Sequence, residues 1–314
     1  MAILGIDIGG TSIKGGLVYR YGQVDKLFSL PIDKSLSQVE QINALIKKIK
    51  ETYTDNEFEG IGLGIPGAID NTLGVVMYSK NLKWENLEIG RMFRHNFPGK
   101  KVAMTNDANA AALGEAKFGS AKNEQNVVMI TLGTGVGGGI IINGKLYEGN
   151  HGRGAELGHQ VIVLDGIPCT CGRRGCFEQY ASATALIRQA EEAIKENPEC
   201  KLALSAKNAE LNGKVVFDSE RAGCTTAKKV IENYIKYLCE GLINICNVFR
   251  PSSIVLSGGI ANEGDYLINK VVAYMEKEHY GYLPEMKVNI KIASLGYNSG
   301  IIGAASLLYW LWKL

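Results

Sequence analysis

The chain has 314 residues, a length that suits about two domains of ordinary size. Glycine accounts for 38 residues and proline for seven, but 46% of the residues are hydrophobic and 21% are charged, which excludes a collagen-like or disordered chain. The formal net charge is only +2 and the basic residues are scattered, so we expect a small neutral ligand, with no nucleic acid and no membrane as partner.

The first part of the chain alternates strand and helix patterns. Runs of apolar residues predict strands at 3–8, 15–21, 60–65 and 101–105. Apolar residues at helical spacing predict a helix around residues 39–53. An alanine-rich helix is predicted at 108–118, with Asp107 at its N-cap position and Gly119 at its end.

A second part begins after the polar segment 122–125, so we place the domain boundary near residue 120. Its predicted elements are strands at 127–132, 137–142 and 254–256, a turn at Asn143-Gly144, helices around 182–196 and 225–248, and a buried terminal helix at 301–312. The terminal stretch is shorter than the roughly 20 residues that span a bilayer. Because no basic leader opens the chain, we expect a cytoplasmic protein.

Two glycine-rich turns connect neighbouring predicted strands. We name Gly9-Gly10-Thr11 the first glycine turn and Gly133-Thr134-Gly135 the second glycine turn. Such a turn can direct several backbone N–H groups at a phosphate, although an ordinary hairpin turn would explain the glycines as well. Gly133, Gly135 and Gly138 also match the pattern G-x-G-x-x-G, but a strand follows where a dinucleotide site needs a helix. Neither turn contains the Gly-Lys-Ser/Thr of a P-loop.

Three cysteines and one histidine form a cluster in the sequence: His159, Cys169, Cys171 and Cys176. Thiolate and imidazole groups suit tetrahedral Zn²⁺, and Gly172 and Gly175 would let the chain turn around the ion. The alternative is a set of small buried residues, but the flanking Arg173 and Arg174 indicate an exposed loop. Four protein ligands leave no open position, so we expect a structural zinc site.

The odd number of cysteines, seven, argues against a disulfide framework. The four cysteines outside the cluster are isolated in helix-like sequence and are expected in the core: Cys200, Cys224, Cys239 and Cys246. The histidines outside the cluster, His95, His151 and His279, belong to no motif, and we interpret them as surface or core residues.

The sequence resembles the superfamily of sugar kinases, Hsp70 and actin and, within it, the ROK family of bacterial sugar kinases. The matching motifs lie at 5–11, 105–109, 132–135 and 258–259, and the most specific one extends over 154–178. The resemblance implies an α/β fold with two ribonuclease-H-like domains around a central cleft and a zinc loop in the second domain. The implied domains are residues 1–120 together with about 300–314, and residues 121–299.

The resemblance implies ATP, Mg²⁺ and structural Zn²⁺ as cofactors. Two phosphate-binding groups and the wall of an adenosine pocket would form the nucleotide site: Asp7, Gly9, Gly10, Thr11, Lys14, Gly133, Thr134, Gly135, Gly258 and Gly259. The cluster of His159 and the three cysteines matches the family's zinc motif in all four ligands.

A sugar hydroxyl must be positioned for phosphoryl transfer, with a carboxylate to accept its proton. Asp107 is the candidate, and a helix N-cap role is the compatible alternative, since the helix dipole favours an ionised carboxylate. In the family this aspartate is the catalytic base. The resemblance also implies a set of hexose-binding residues: Gly67, Asn81, Asn106, Asp107, Glu156, His159 and Glu178. His159 would give one ring nitrogen to zinc and the other to the sugar.

The implied function is ATP-dependent phosphorylation of a hexose at its 6-hydroxyl, with glucose as the expected acceptor and N-acetylmannosamine, N-acetylglucosamine, allose or fructose as alternatives. A second hypothesis is a sugar-responsive transcriptional regulator of the same family. We expect this less, because Asp7 lies too near the start of the chain for a preceding helix-turn-helix domain. A third hypothesis is a protein that uses ATP as a conformational switch, as Hsp70 and actin do, but this function would not explain the zinc cluster. The family also implies a homodimer or homotetramer.

Overall fold

A computed structural model describes residues 1–280 and 287–313. The chain divides into two compact units. Unit 1 consists of Met1–Val127, Gly139–Ala155 and Ser294–Leu314, and unit 2 of Val128–Gly138 and Glu156–Ala293. The sequence-based domain limits differ from this division at three segments, since they assign residues 121–127, 139–155 and 294–299 to the second domain.

The described strands are β1 (Ala2–Ile8), β2 (Ser12–Tyr19), β3 (Val24–Pro31), β4 (Gly60–Ile65), β5 (Ala68–Asp70), β6 (Val75–Ser79), β7 (Trp84–Leu87), β8 (Lys101–Asn106), β9 (Val127–Leu132), β10 (Val136–Ile142), β11 (Lys145–Tyr147), β12 (Ser253–Ser257) and β13 (Asn289–Ile292). The described helices are α1 (Gln38–Thr52), α2 (Ile89–Asn96), α3 (Asp107–Phe118), α4 (Glu178–Ala181), α5 (Ala183–Glu196), α6 (Lys201–Asn208), α7 (Gly213–Arg221), α8 (Thr225–Phe249), α9 (Asp265–Glu278) and α10 (Ser299–Ser306). Among these described helices, none has the length and apolar character needed to cross a membrane.

Two five-stranded sheets share one strand arrangement. The first has the order β3-β2-β1-β4-β8 and the second β11-β10-β9-β12-β13, while β5, β6 and β7 form a small sheet. In the first sheet β1 is antiparallel to β2 and parallel to β4, which is parallel to β8. In the second, β10 and β11 are antiparallel and β12 and β13 are parallel. Each sheet is therefore mixed, with three consecutive strands followed by two later ones.

Strand β1 is buried on both of its faces. On one face Leu4 and Ile6 belong to a core that includes Leu45 of α1. On the other face Ile3 packs in a cluster with Ile301 of α10. Side chains alternate between the faces of a strand, so burial on both faces produces the continuous apolar run that predicted β1 from the sequence.

Helix α10 packs closely on the first sheet and on α3 because glycines permit it. A Cβ atom at Gly62 of β4 would overlap the carbonyl oxygen of Ala304, and one at Gly303 would overlap the carbonyl oxygen of Ala110 in α3. Glycine is the residue that allows two backbones to approach in this way. These glycines therefore serve packing and not a turn, a role that the sequence did not reveal.

The terminal helix is shorter than predicted. It ends at Ser306, and Tyr309–Lys313 forms a separate 3-10 helix. The hydroxyl of Ser306 donates a hydrogen bond of 2.7 Å to Ile302 O one turn back, a bond that competes with regular helix continuation. Strand β3 was not predicted from the sequence, because most of its side chains are exposed and break the apolar pattern.

The four cysteines outside the cluster are buried, which confirms their expected place in the core. Cys239 and Cys246 lie on the buried face of α8. All seven cysteines are free thiols. A buried thiol of this kind behaves as a small apolar side chain.

Candidate active site

Unit 1 brings its candidate residues to one edge of the first sheet. The parallel strands β1, β4 and β8 end together, with Asp7 opposite Gly64 and Gly64 opposite Thr105. The chain continues from β1 into the first glycine turn, and from β8 into α3, which begins at Asp107. The carboxyl ends of parallel strands are where open α/β sheets bind ligands, so this edge suits a ligand site.

Asn106, one residue before the predicted Asp107, is the N-cap of α3. Its Oδ1 accepts hydrogen bonds from the N–H groups of Ala108 and Asn109 at 2.9 and 3.3 Å, and its Nδ2 donates to Gly67 O at 3.1 Å. The prediction of Asp107 as N-cap was wrong by one position, because Asn106 has the extended backbone that the N-cap requires. Asp107 is the first helical residue, and its Oδ1 accepts from Ala108 N at 2.9 Å.

Burial raises the pKa values of two carboxyl groups at this edge. It raises the pKa of Asp107 above the usual range, against the opposing effect of the Ala108 N–H group. The helix dipole favours the ionised form of Asp107, but the desolvation of the carboxylate outweighs that effect. Burial and then the Asp107 carboxyl raise the pKa of Asp7 to about 6, while Lys14 lowers it. Perturbed carboxyl groups of this kind are typical of functional sites.

Lys14 lies beside Asp7. It is opposite Asp7 in the register of β1 and β2. Its Nζ lies 5.2 Å from the centroid of the Tyr297 ring, and the Tyr297 side chain is itself 89% exposed. A cation over an aromatic face is stabilised electrostatically. The ring of Tyr297 therefore offers the ammonium group of Lys14 a stabilising contact that no sequence motif indicated.

The first glycine turn lies next to Asn81, one of the predicted sugar-binding residues. Within the turn, Gly9 N donates to Ser12 O at 2.9 Å. A Cβ atom at Gly10 would lie 3.7 Å from the Cβ atom of Asn81. Gly67 has a φ of +113°, and a Cβ atom there would overlap Tyr78 O. The nine candidate residues of unit 1 thus occupy connected positions around one sheet edge.

In unit 2 the second glycine turn lies next to Gly258 and Glu178. Gly258 has a φ of +90°, and a Cβ atom there would overlap the carbonyl oxygen of Leu132 at the end of β9. A Cβ atom at Gly135 would lie 2.6 Å from Glu178 Oε2. The absence of side chains at Gly135 and Gly258 therefore leaves space at this edge of the second sheet. The second glycine turn is a neighbour of both Gly258 and the start of α4.

The predicted metal ligands converge in unit 2. The four ligand atoms of His159, Cys169, Cys171 and Cys176 all lie within 4.8 Å of one another. A short hairpin supports them, with Cys169 N donating to Arg173 O at 2.8 Å and Gly175 N to Ile167 O at 2.8 Å. Gly175 has a φ of +77°, and a Cβ atom there would overlap Val163 O. The local turn therefore requires glycine at this position.

The donor set fits a tetrahedral metal ion. The sulfur atoms of Cys171 and Cys176 are 3.6 Å apart, and Cys169 Sγ is 3.7 Å from His159 Nδ1. Ligands at zinc–sulfur distances of about 2.3 Å in a tetrahedron are separated by about 3.8 Å, so these spacings match. Burial raises the pKa of the Cys176 thiol to about 12, so its thiolate form needs a nearby cation.

The segment from Glu156 to His159 connects the second glycine turn region with the cluster. Backbone N–H of His159 donates to Glu156 O at 3.0 Å, and a Cβ atom at Gly158 would overlap Val136 O at the start of β10. Glu178 Oε1 accepts from Cys169 Sγ at 3.1 Å and lies 3.9 Å from His159 Nδ1. Of the predicted sugar residues of unit 2, His159 is therefore a member of the metal cluster, Glu178 contacts it, and Glu156 is joined to it through the backbone of His159.

Sequence reasoning missed a partly buried carboxyl group that contacts Thr105 near the end of β8. Glu148 accepts hydrogen bonds from Thr105 Oγ1 at 2.5 Å and from Asn71 Nδ2 at 2.6 Å, and its burial raises its pKa. His151 Nδ1 lies 3.2 Å from Asp70 Oδ2. Glu148 and Asp70 belong to no motif, so only the tertiary contacts reveal them.

These features define a class of protein. Each mixed sheet has a glycine turn between its first two strands, and the edge next to that turn carries polar and charged side chains, which is the arrangement of α/β proteins with ribonuclease-H-like units. The chain belongs to the ROK family, whose family model matches residues 3–310.

Individual relatives include enzymes and regulators. The chain is 34% identical over 308 residues to a glucokinase of Streptomyces coelicolor, covering 97% of this chain and 96% of the relative. A crystal structure of a ROK family glucokinase from Streptomyces griseus, in complex with glucose and AMPPNP, matches with a TM-score of 0.81 at 31% identity, covering 98% of this chain and 99% of that one. A xylose repressor of Bacillus spizizenii is 31% identical over 249 residues, covering 79% of this chain and 60% of the repressor.

Proposed function

We propose that this protein is an ATP-dependent sugar kinase that phosphorylates a hexose at its 6-hydroxyl, with glucose as the acceptor. The observation that carries the proposal is the buried Asp107 carboxyl at the strand edge of unit 1, next to Asp7 and in the same unit as the first glycine turn. The similarity to glucokinases over almost the whole chain supports glucose as the acceptor.

In the proposed reaction, one residue of this chain accepts a proton. The oxygen of the 6-hydroxyl bonds to the γ-phosphorus of ATP, the bond from that phosphorus to ADP breaks, and the hydroxyl proton passes to the Asp107 carboxylate. The raised pKa of Asp107 brings it nearer to the working pH, which favours its action as a base. The remaining residues bind and orient the two substrates, as phosphoryl transfer mainly requires.

The nucleotide phosphates would bind to backbone N–H groups of the two glycine turns and to Lys14, and Gly258 and Gly259 would form the wall of the adenosine pocket. Asp7 would hold Mg²⁺, because a carboxylate oxygen is the ligand that this ion prefers. The ion neutralises phosphate charge when bound. Asn81, Asn106, Gly67, Glu156, His159 and Glu178 would hold the sugar hydroxyls.

Zinc would have a structural role. The four protein ligands at tetrahedral spacing leave no open coordination position, so the ion would stabilise the loop and fix the ring of His159. Because Nδ1 of His159 faces the cysteine sulfur atoms, Nε2 is the ring atom left for a sugar hydroxyl. The protein would act in the cytoplasm as a homodimer or homotetramer.

The test is ADP release in the presence of ATP and Mg²⁺, measured for a panel of sugars. Glucose should give the highest kcat/KM, with N-acetylmannosamine, N-acetylglucosamine, allose and fructose well below it. A higher kcat/KM for one of the others would replace glucose as the acceptor and keep the kinase. No stimulation by any sugar would contradict the kinase proposal.

The similarity to a xylose repressor favours one second candidate, a sugar-responsive transcriptional regulator. Such a protein would bind a sugar without releasing ADP, and its binding to DNA would depend on that sugar. Fluorescence titration with sugars, followed by a DNA retardation assay with and without the bound sugar, separates the two functions.

A further inference from the structure

Unit 1 contains a cavity of about 250 Å³ beside Asn81. Its walls are the segment between β3 and α1, the first turn of α1, and the turn between β6 and β7. Ile32, one of the lining residues, donates its N–H to Thr11 O of the first glycine turn at 2.9 Å. Asn81 lines the cavity and Asp107 does not. A group bound in this cavity would therefore lie beside Asn81 and away from the hydroxyl at Asp107.

The side chains at the floor of the cavity are held by hydrogen bonds within the protein. Trp84 is fully buried, and its Nε1 donates to Gln41 Oε1 at 3.1 Å. Gln41 Nε2 in turn donates to the carbonyl oxygens of Asp33 and Leu36 at 3.1 and 3.0 Å. The carboxamide of Gln38 makes two hydrogen bonds with the backbone of Glu85. These side chains are satisfied within the protein, so they shape the cavity and leave ligand binding to other groups.

The charged groups of the cavity are both cationic. Lys34 and Lys83 line it, and the lining includes no aspartate or glutamate. Among the ion pairs of the described residues, none involves either lysine. Ser37 caps the start of α1, and Glu40 in its first turn accepts a hydrogen bond from Ser37 N, so the lysines and not the helix N-terminus supply the positive charge.

The backbone also holds Lys83 in an unusual conformation. Its φ is +56°, in the left-handed region that non-glycine residues rarely occupy. Such strain persists where the surrounding structure imposes it, and it is common at ligand sites. The tight turn of residues 80–83 thus fixes the position from which the Lys83 side chain reaches the cavity, while Lys80 of the same turn lies outside the lining.

We propose that this cavity is an anion subsite of the sugar site, in which Lys34 and Lys83 bind the phosphate group of a hexose phosphate ester. The inference rests on the proposed function, because Asn81 joins the cavity to the sugar site. Lysine ammonium groups bind phosphate as point charges, and phosphate provides acceptors for both. The ester would carry its phosphate away from the 6-hydroxyl, as the anomeric phosphate of glucose 1-phosphate does, which leaves that hydroxyl for Asp107.

The experiment measures binding of α-glucose 1-phosphate by calorimetry without nucleotide, against methyl α-glucoside as the neutral ligand and inorganic phosphate as the free anion. The variants are Lys34→Met, Lys83→Met, the double variant, and Lys80→Met as the matched control. The wild-type protein and Lys80→Met should bind the phosphate ester more tightly than the glucoside. The double variant should lose about tenfold or more of that affinity, as expected for a charge-assisted hydrogen bond.

Two results would overturn the inference. One is an unchanged affinity for the phosphate ester in the double variant, with unchanged thermal unfolding. The other is an equal affinity of the wild type for inorganic phosphate and the ester, which would separate the anion site from the sugar site. Sugar-stimulated ADP release by the wild-type protein is measured in parallel. If glucose stimulates it while the lysine variants bind the ester normally, this inference fails and the proposed kinase function stands.

Discussion

Among single residues, Asp107 and Asp7 lower the stability of the folded protein when they are ionised, and both have a role in the proposed reaction. Both carboxyl groups are buried at the end of parallel strands, and each has a raised pKa. A cation or a hydroxyl group at this edge would offset that cost. The two residues therefore allow separate tests, one of catalysis and one of stability.

Asp107→Asn removes the proposed base while keeping the size of the side chain. Turnover should fall about 10²- to 10⁴-fold, because that is the usual contribution of a general base. The KM values for sugar and ATP should change little. Steady-state kinetics measures both, and the exposed Asp55→Asn serves as control; near-normal turnover in Asp107→Asn would remove this residue from the mechanism.

Asp7→Asn should stabilise the protein at neutral pH. The folded-state pKa of Asp7 is raised to about 6, so its stabilising contribution is fully present below the unfolded pKa near 3.8 and is lost as pH rises through 6. That loss amounts to at most about 3 kcal/mol at pH 7. Denaturant unfolding without nucleotide and Mg²⁺ should show a larger advantage of the variant at pH 7 than at pH 4. An equal difference at the two pH values would contradict the raised pKa.

Tyr297 provides a third test at the residue scale, because its side chain is exposed and its loss costs no core packing. Tyr297→Leu should raise the KM for ATP about two- to fivefold, since Lys14 loses the aromatic face that holds it. Tyr297→Phe keeps the ring and should behave as the wild type. The idea fails if both variants have the same KM as the wild type, or if both raise it equally.

At the scale of elements, the metal loop and helix α10 depend on different kinds of contact. The loop is organised around its four ligand side chains and the turns at Gly172 and Gly175. Helix α10 is held by close backbone packing against β4 and α3. Loss of a ligand side chain should therefore destabilise the metal loop, and an added methyl group should destabilise the packing of α10.

Cys171→Ser should reduce bound zinc to less than about half an equivalent, because three ligands hold the ion less well than four. The affinity for sugar should fall at the same time, since the proposed sugar residue His159 is a member of the cluster and the proposed sugar residue Glu178 contacts Cys169. Metal analysis and sugar titration measure the two effects, with the buried Cys246→Ala as control. Loss of zinc with unchanged sugar saturation would break the proposed link.

Gly62→Ala should destabilise unit 1 by about 1–3 kcal/mol, the usual cost of overpacking. The added Cβ atom would overlap a backbone carbonyl of α10, which cannot move as a flexible side chain can. Urea unfolding measures the change, and Asn43→Ala on the exposed side of α1 is the control. A stability within about 0.5 kcal/mol of the wild type would show that α10 can shift without cost.

At the scale of the whole molecule, the two five-stranded sheets repeat one strand order around two glycine turns. The sequence indicated this repetition only through the pattern of strand, glycine turn and strand that opens each part. The later strands of each sheet are separated from that pattern by helices, so their places in the sheet depend on long-range pairing. Local residue patterns do not encode such pairing.

The sequence by itself determined the strands β1, β4 and β9, helix α3, the glycine turns and the set of metal-ligand candidates. Each of these rests on periodicity, turn chemistry or ligand spacing, which are local properties. Only the tertiary structure decided that Asn106 caps α3, that burial outweighs the helix dipole at Asp107, and that Gly62 and Gly303 serve the packing of α10. Capping, desolvation and close backbone approach depend on neighbours distant in sequence or on exact backbone angles, which no local pattern specifies.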